Sequence, residues 1–298
     1  MKGIRMAALT AAALLSAAML FGCSGGKDPE TSGGDSAALS GQITVLSREE
    51  GSGTRGAFIE LFGIEVKDAD GNKVDQTVKT AEIVNSTSAM STSVAGNKKA
   101  IGYVSLGALS KEVKALKIDG VAPSAAGVKD GSYKVSRPFH VATKGDATGL
   151  AADFLAYVKS PDGQKVVEDK GYISEGAGDA YTASNQTGTL KISGSTSVYP
   201  VMEKLVEAYK VLNPDVDIKL QQSDSTTGLN DVKNGISDIG MASRDLKDSE
   251  KEAGLVPQVI ALDGIAVIVN QSNPLDGLTA EQVQKIYTAA VTDWSELN

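Results

Sequence analysis

The sequence predicts an α/β protein, and three observations carry that expectation. From Gly41 onward, short β-type runs alternate with helical patterns, as they do in α/β architectures. Four loops rich in Gly, Ser and Thr fall at the carboxyl ends of predicted strands, where open α/β sheets hold their ligands. With 298 residues, 41% hydrophobic and 22% charged, the chain is long enough for two modest domains and too apolar for disorder. A net charge of −8 and a pI near 4.9 argue against nucleic acid or an anionic membrane surface as the main partner, since both demand clustered basic residues. Any bound anion must therefore be captured by local donors.

The first forty residues stand apart from this pattern. Lys2 and Arg5 precede an apolar, Ala- and Leu-rich stretch from Met6 to Phe21, which gives residues 1–22 the charged and hydrophobic regions of an export signal. The stretch is short for a membrane span. It closes on Leu20-Phe21-Gly22-Cys23, which resembles a bacterial lipoprotein processing site, and Cys23 is the only cysteine in the chain. A lone cysteine cannot form an internal disulfide, and this position favours a lipid attachment point over a free thiol. Residues 23–40 read as a flexible polar tether. The expectation is a protein lipid-anchored at the extracytoplasmic face of a bacterial cell membrane, with its folded part in water.

In the folded part, Thr44 to Leu46, Ile101 to Val104, Val113 to Ile118, Leu190 to Ile192, Val216 to Leu220, Asp238 to Ala242 and Ile265 to Val269 are the candidate strands. The clearest helix is Val198 to Leu212, with Val198, Met202, Leu205, Tyr209 and Leu212 on one face. Thr279 and Gln282 form a capping-box pattern before Val283, Ile286 and Tyr287, and Ser160-Pro161 marks another helix start. Glu175 to Gly188 is small and polar and reads as a linker or long surface connection. Asp68 to Asn72 reads as a hairpin turn; as a calcium loop it is short and lacks the closing glutamate.

The chemistry lies in the loops. Ser47 to Phe58 (SREEGSGTRGAF) sets hydroxyls, glycines and a fixed cation around one helix start. Glycine lets backbone N–H groups approach a ligand, and the first helical turn leaves those donors without internal partners while its dipole favours negative charge. Ser52 and Thr54 add hydroxyls, Arg48 lies at the end of a predicted strand with a planar charged fork, and Glu50 is placed to orient that fork. An ordinary strand-loop-helix turn with a solvated Arg has the same local pattern. Three more loops share the composition: Gly194 to Ser197, Ser223 to Gly228, and Ala242-Ser243-Arg244. Each is commonplace alone, since Ser and Thr are ordinary caps, but together they point to an oxyanion site.

These residues also carry a resemblance. KISGSTSVYPVMEKLVEAY, SDIGMASRDL, DGIAVIVN, the run from Leu278 to Leu297, SREEGSGTRGAF, AIGYVSLG and SRPF together resemble the phosphate-binding proteins of bacterial phosphate ABC transporters, over nearly all of Gly41 to Asn298. The resemblance implies a type II periplasmic-binding-protein fold, two α/β lobes joined by crossover strands, that binds inorganic phosphate in the cleft without catalysis or a cofactor. Carried over by position, phosphate donors fall on Thr196, Ser197 and Ser225 in one lobe and on Arg48, Ser52, Gly53 and Thr54 in the other. Ser243, followed by Arg244 as possible support, stands where many members have a proton-accepting aspartate. That puts selectivity over sulfate in question. The segment order also departs from the family: SGTR precedes GSTSV here, as in a circular permutation. One lobe then comprises residues 41–135 and 264–298 and the other 136–263, with Asn298 near Gly41. Permutation is tolerated where old ends are close and exposed. A truncated or misassembled chain that pairs with a second copy is the alternative. The implied partners are phosphate, a membrane permease and, through Cys23, the membrane; the implied state is monomeric.

Other function classes have less support in the residues. For a serine phosphoesterase, neither Ser52 nor Ser195 lies in a Gly-x-Ser-x-Gly elbow, and the single histidine, His140, falls in an expected crossover strand. There is no nucleotide-binding loop, dinucleotide fingerprint or His/Cys metal spacing. A receptor for sulfate or a molybdate-like oxyanion, or a surface adhesin or signalling module, stays open at this level.

Overall fold

The computed structural model describes residues 39–297, so the expected export signal, Cys23 and most of the tether lie outside the described residues. The first stretch runs β1 (Thr44–Arg48), α1 (Gly53–Leu61), β2 (Glu65–Lys67), β3 (Lys73–Asp75), β4 (Glu82–Val84), α2 (Thr87–Gly96), β5 (Ala100–Ser105), β6 (Val113–Ala115), β7 (Lys117–Ile118) and α3 (Ala125–Lys129). Then come β8 (Ser136–Lys144), α4 (Gly149–Lys159), α5 (Pro161–Asp169), β9 (Gly188–Ser195), α6 (Tyr199–Leu212), β10 (Val216–Ser223), α7 (Ser225–Lys233), β11 (Ile239–Ala242) and α8 (Asp248–Glu252). The chain closes with β12 (Leu255–Asn270), β13 (Gly277–Leu278) and α9 (Ala280–Tyr287).

Several starts and turns have the chemistry expected of them. Ser160 accepts from Gly163 N at the head of α5, where Pro161 needs no donor of its own. Thr279 and Gln282 close a reciprocal capping box on α9. Val201, Met202, Leu205 and Tyr209 line the buried stripe of α6, with Val198 buried at its cap, whereas Leu212, expected on the same face, is exposed in the last turn. Residues 68–72 form the β2–β3 hairpin turn, where Asp68 accepts from the Asp70 and Asn72 amides.

Nine strands share one sheet, in the order β10-β9-β11-β8-β12-β5-β1-β4 with β6 beside β12. At one end β10, β9 and β11 are parallel, and at the other β5, β1 and β4 are parallel. Parallel strands are normally buried on both faces. Here the β5-β1-β4 end of the sheet is covered by a large core around Phe58, Tyr103, Val267 and Trp294 and by a smaller one around Leu46, Met90 and Ile268. The other end has cores around Phe154, Ile192 and Leu205 on one face and Leu229, Val232 and Leu246 on the other. Alternation along β12 serves both faces, with Ile265, Val267 and Val269 in one core and Ala266 and Ile268 in the next.

The antiparallel strands β8 and β12 join the two ends. β12 pairs with β8 from Leu255 to Gly264, then with β5 from Ile265 to Val269. Its sixteen residues extend well beyond the expected Ile265 to Val269, because Leu255–Asp263 is held by a partner more than a hundred residues away and not by local propensity. Val113 to Ile118 is two short strands and not one: β6 joins β12, Leu116 N donates to Val267 O, and β7 turns off to pair with β13. Glu175 to Gly188 is irregular up to β9 and mostly exposed. Gly41 N donates to Asp293 Oδ1 and Trp294 N donates to Gly41 O, so the two ends of the described chain lie side by side.

Candidate functional site

Each expected loop follows the carboxyl end of a parallel strand. β1 leads into Glu49–Ser52, β9 into Thr196–Val198, β10 into Asp224 and β11 into Ser243. The two sets of loops meet. Thr54 Oγ1 lies 2.8 Å from Ser197 Oγ, and Arg48 Nη2 donates to Thr196 Oγ1 at 3.2 Å. Ser195 Oγ donates to Ser243 Oγ at 3.0 Å, and Ser225 Oγ accepts from Ser243 N at 3.2 Å. Gly53 closes the contact: a Cβ there would sit 2.5 Å from Ser225 Oγ and 2.7 Å from Ser243 Oγ. Any side chain would drive the facing loops apart. The structure thus brings Arg48, Thr54, Thr196 and Ser197 together and sets Gly53, Ser225 and Ser243 directly beside them. Ser52 is the N-cap of α1 and accepts from Arg55 N at 3.3 Å.

Arg48 is 2% exposed and is held at every end. Its amide donates to the Tyr103 hydroxyl, which is also 3.0 Å from Ser47 Oγ, and its carbonyl accepts from Arg55 Nη1. Tyr103 is in turn fixed by stacking on Phe58 at 3.9 Å. Glu49 takes the guanidinium bidentately, with Nε to Oε2 at 2.8 Å and Nη2 to Oε1 at 2.7 Å. The supporting carboxylate is therefore Glu49 and not the expected Glu50, which is exposed in the turn. Arg244 is likewise not in the hydroxyl cluster: Glu250 holds its guanidinium through two 2.8 Å bonds.

Sequence reasoning missed Thr87. It sits in the first turn of α2, capped by Ser86, and its Oγ1 lies 3.2 Å from both Thr196 Oγ1 and Ser197 Oγ. The run Ser86-Thr87-Ser88 after β4 carried the same hydroxyl-at-strand-end signal as the other loops. Thr87 and Thr196 also border a cavity of about 210 Å³ with Ser91, Tyr199 and Gln222. That is several times the roughly 30 Å³ a water occupies in the liquid.

A buried ion pair lies where β12 changes partners. Arg137 and Asp263 face each other across β8 and β12, with Nη2 to Oδ2 at 3.1 Å and side chains 2% and 0% exposed. Asp263 Oδ1 accepts from Ser105 Oγ at 2.9 Å, while Arg137 Nε and Nη1 are buried without a partner. Burial pushes the Asp263 carboxyl up to about 6, against the opposite pull of Arg137 and Ser105. Burial lowers Arg137, Asp263 raises it, and the Arg48 charge adds to the lowering. Tyr172 borders this pair and donates to Ser197 O at 3.5 Å, which ties the crossover to the hydroxyl cluster.

An arrangement of hydroxyls, helix starts and one clamped cation, with the Glu49 carboxylate turned to that cation and Asp224 taken up in capping α7, suits a small oxyanion. His140 is not placed for catalysis: its Nδ1 is 3.2 Å from Arg244 O, its Nε2 is 3.7 Å from Asp245, and burial lowers its pKa. Among the described residues no helix is long and apolar enough to cross a membrane.

Comparison with known proteins identifies the family. Residues 29–162 and 179–298 match the family model of the PBP superfamily domain. The chain is 48% identical over 300 residues, covering 100% of both chains, to Phosphate-binding protein PstS 2 of Streptococcus agalactiae serotype V. It is 44% identical to Phosphate-binding protein PstS 2 of Streptococcus pneumoniae serotype 4, over 87% of this chain and 89% of the other. The crystal structure of a phosphate ABC transporter phosphate-binding protein from Streptococcus pneumoniae TIGR4 superposes with a TM-score of 0.69 at 44% identity, over 87% of this chain and 100% of that one. The chain belongs to the PBP superfamily and, within it, to the phosphate-binding proteins of phosphate ABC transporters.

Proposed function

We propose that this chain is an extracytoplasmic receptor that closes two lobes over inorganic phosphate and delivers it to the permease of an ABC transporter. The observation that carries the reading is the meeting of loops from opposite ends of the sheet, Thr54 with Ser197 at 2.8 Å and Arg48 with Thr196 at 3.2 Å. Desolvating an anion is costly, so each oxygen needs a preorganised donor. Arg48, Ser52, Gly53, Thr54, Thr196, Ser197, Ser225 and Ser243 are the proposed phosphate contacts, with Thr87 added. The partner exchange of β12 at Gly264 supports lobes of residues 41–135 with 264–298, and of 136–263. Both sets of loops come from one chain, so a monomer suffices. The adjacency of Gly41 and Asp293 supports a circularly permuted order. The end-to-end match to the Streptococcus agalactiae protein favours an order shared with relatives over a misassembled chain.

Ser243 favours one variation on this reading. A hydroxyl accepts and donates, whereas a carboxylate facing the ligand would repel a fully ionised anion, so sulfate is expected to compete measurably with phosphate. Calorimetry of the mature protein with phosphate, sulfate, molybdate and a chromogenic phosphate ester tests the assignment. Heat with phosphate and no ester turnover is the expected result, and silence with phosphate would overturn it.

Membrane attachment through lipidated Cys23 is part of the same proposal. Cys23→Ala is expected to shift the protein from the membrane fraction to the medium. Continued attachment would point to an uncleaved signal anchor.

A further inference from the structure

Arg244, absent from the hydroxyl cluster, ends a chain of contacts that returns to it. Its Nη2 donates to Thr226 Oγ1 at 3.1 Å, while Glu250 holds the fork and is itself fixed by the Lys247 amide at 2.7 Å. Arginine can only donate, so the Thr226 hydroxyl hydrogen is turned away from it. The acceptor on that side is Gly51 O, which lies 3.2 Å from Thr226 Oγ1 and 3.2 Å from Thr226 N. A carbonyl has two lone pairs and accommodates both donors. Gly51 directly precedes Ser52-Gly53, and a Cβ on it would fall 2.2 Å from Asp224 Oδ1, the cap of α7. The β1–α1 loop therefore rests on the start of α7, across the junction between the two ends of the sheet.

We propose that Thr226 and Arg244 are positioning residues that hold the Gly51–Gly53 backbone over the bound anion and set how slowly it leaves. The inference rests on the phosphate reading. Neither side chain belongs to the proposed contact set. The Thr226 bonds to Gly51 O join loops from opposite lobes, so they form only on closure and have to break before release, while Arg244 orients the Thr226 hydroxyl from within its own lobe. Glu250 and Arg244 are mostly buried, with side chains 13% and 11% exposed, so solvent screening weakens the relay little.

The test is stopped-flow and calorimetric titration with inorganic phosphate. Thr226→Val keeps the shape and removes the hydroxyl, and affinity is expected to fall about fivefold to tenfold, the worth of one net hydrogen bond. The loss should lie in the dissociation rate, with association changed less than about twofold. Thr226→Ser should restore slow release, and Arg244→Lys, which loses the fork, should resemble Thr226→Val. The melting temperature without phosphate should stay at the wild-type value while the phosphate-induced rise shrinks; a merely structural role would lower both. Dissociation from Thr226→Val within twofold of wild type, or no rescue by Thr226→Ser, would overturn the latch. Failure of the wild type to bind phosphate would instead overturn the reading on which it rests.

Discussion

Arg48→Ala is expected to weaken phosphate binding at least about thirtyfold, since truncating one partner of a buried charged contact costs roughly 2 to 5 kcal/mol. Two effects add. The anion loses its one clamped guanidinium, and the Glu49 carboxylate, which Arg48 now occupies through two bonds, is left as a negative charge beside Thr196. The fold should survive, because the strand is held by the Arg48 amide to Tyr103 and by the buried Phe58–Tyr103 stack, neither of which needs the guanidinium. Arg48→Lys keeps the charge but cannot form the fork with Glu49, so an intermediate loss is expected. Calorimetry in phosphate-free buffer, with a melting curve beside it, separates the readings. An unchanged affinity for Arg48→Ala would remove this residue from the site.

Asp263→Ala should be the most destabilising single change in the crossover. Removing one member of a buried pair strands the other charge at a cost of about 3 to 5 kcal/mol. Arg137 already has two buried nitrogens without partners and would lose the Asp263 counter-charge. A fall in melting temperature on the order of 10 °C follows for a domain of this size. Replacing both residues by apolar ones of similar volume should cost far less. The pH dependence has a definite sign. Asp263 has its carboxyl raised from 3.8 to about 6 in the folded chain, so between those values the folded state holds a proton that the unfolded state has lost. Its contribution to stability therefore falls as pH rises from about 4 to about 6 and is level above that. The stability of wild type relative to Asp263→Asn should drop across that window in urea titrations, and a flat difference would contradict the raised value.

The layers of the fold were legible where the chain obeys its own local chemistry. The α6 stripe, the α9 capping box, the Ser160-Pro161 start and the Asp68–Asn72 turn all rest on contacts within a few residues of each other. What escaped depends on partners far along the chain. The first half of β12 carries Pro257 and Gln258 and forms because β8 lies beside it. The Arg137–Asp263 pair exists only in that register, and a slip of one residue would turn both side chains to the other face. In the site, hydroxyl-rich strand ends announced four of the converging loops. Thr87 joins the cluster through Thr196 and Ser197, more than a hundred residues along the chain, and the choice of Glu49 over Glu50 depends on how the strand ends at Arg48. Arg244 was placed at the right loop, but its direction is decided by Glu250 on the following short helix.

The neighbourly ends of the described chain have a practical corollary. Gly41 and Trp294 meet at the foot of β1, whereas Arg48 stands at its head, on the order of 20 Å away along an extended strand. A dye, bead or solid support coupled near either extremity would hang from the same corner, remote from the anion. Immobilisation there should leave the binding chemistry untouched.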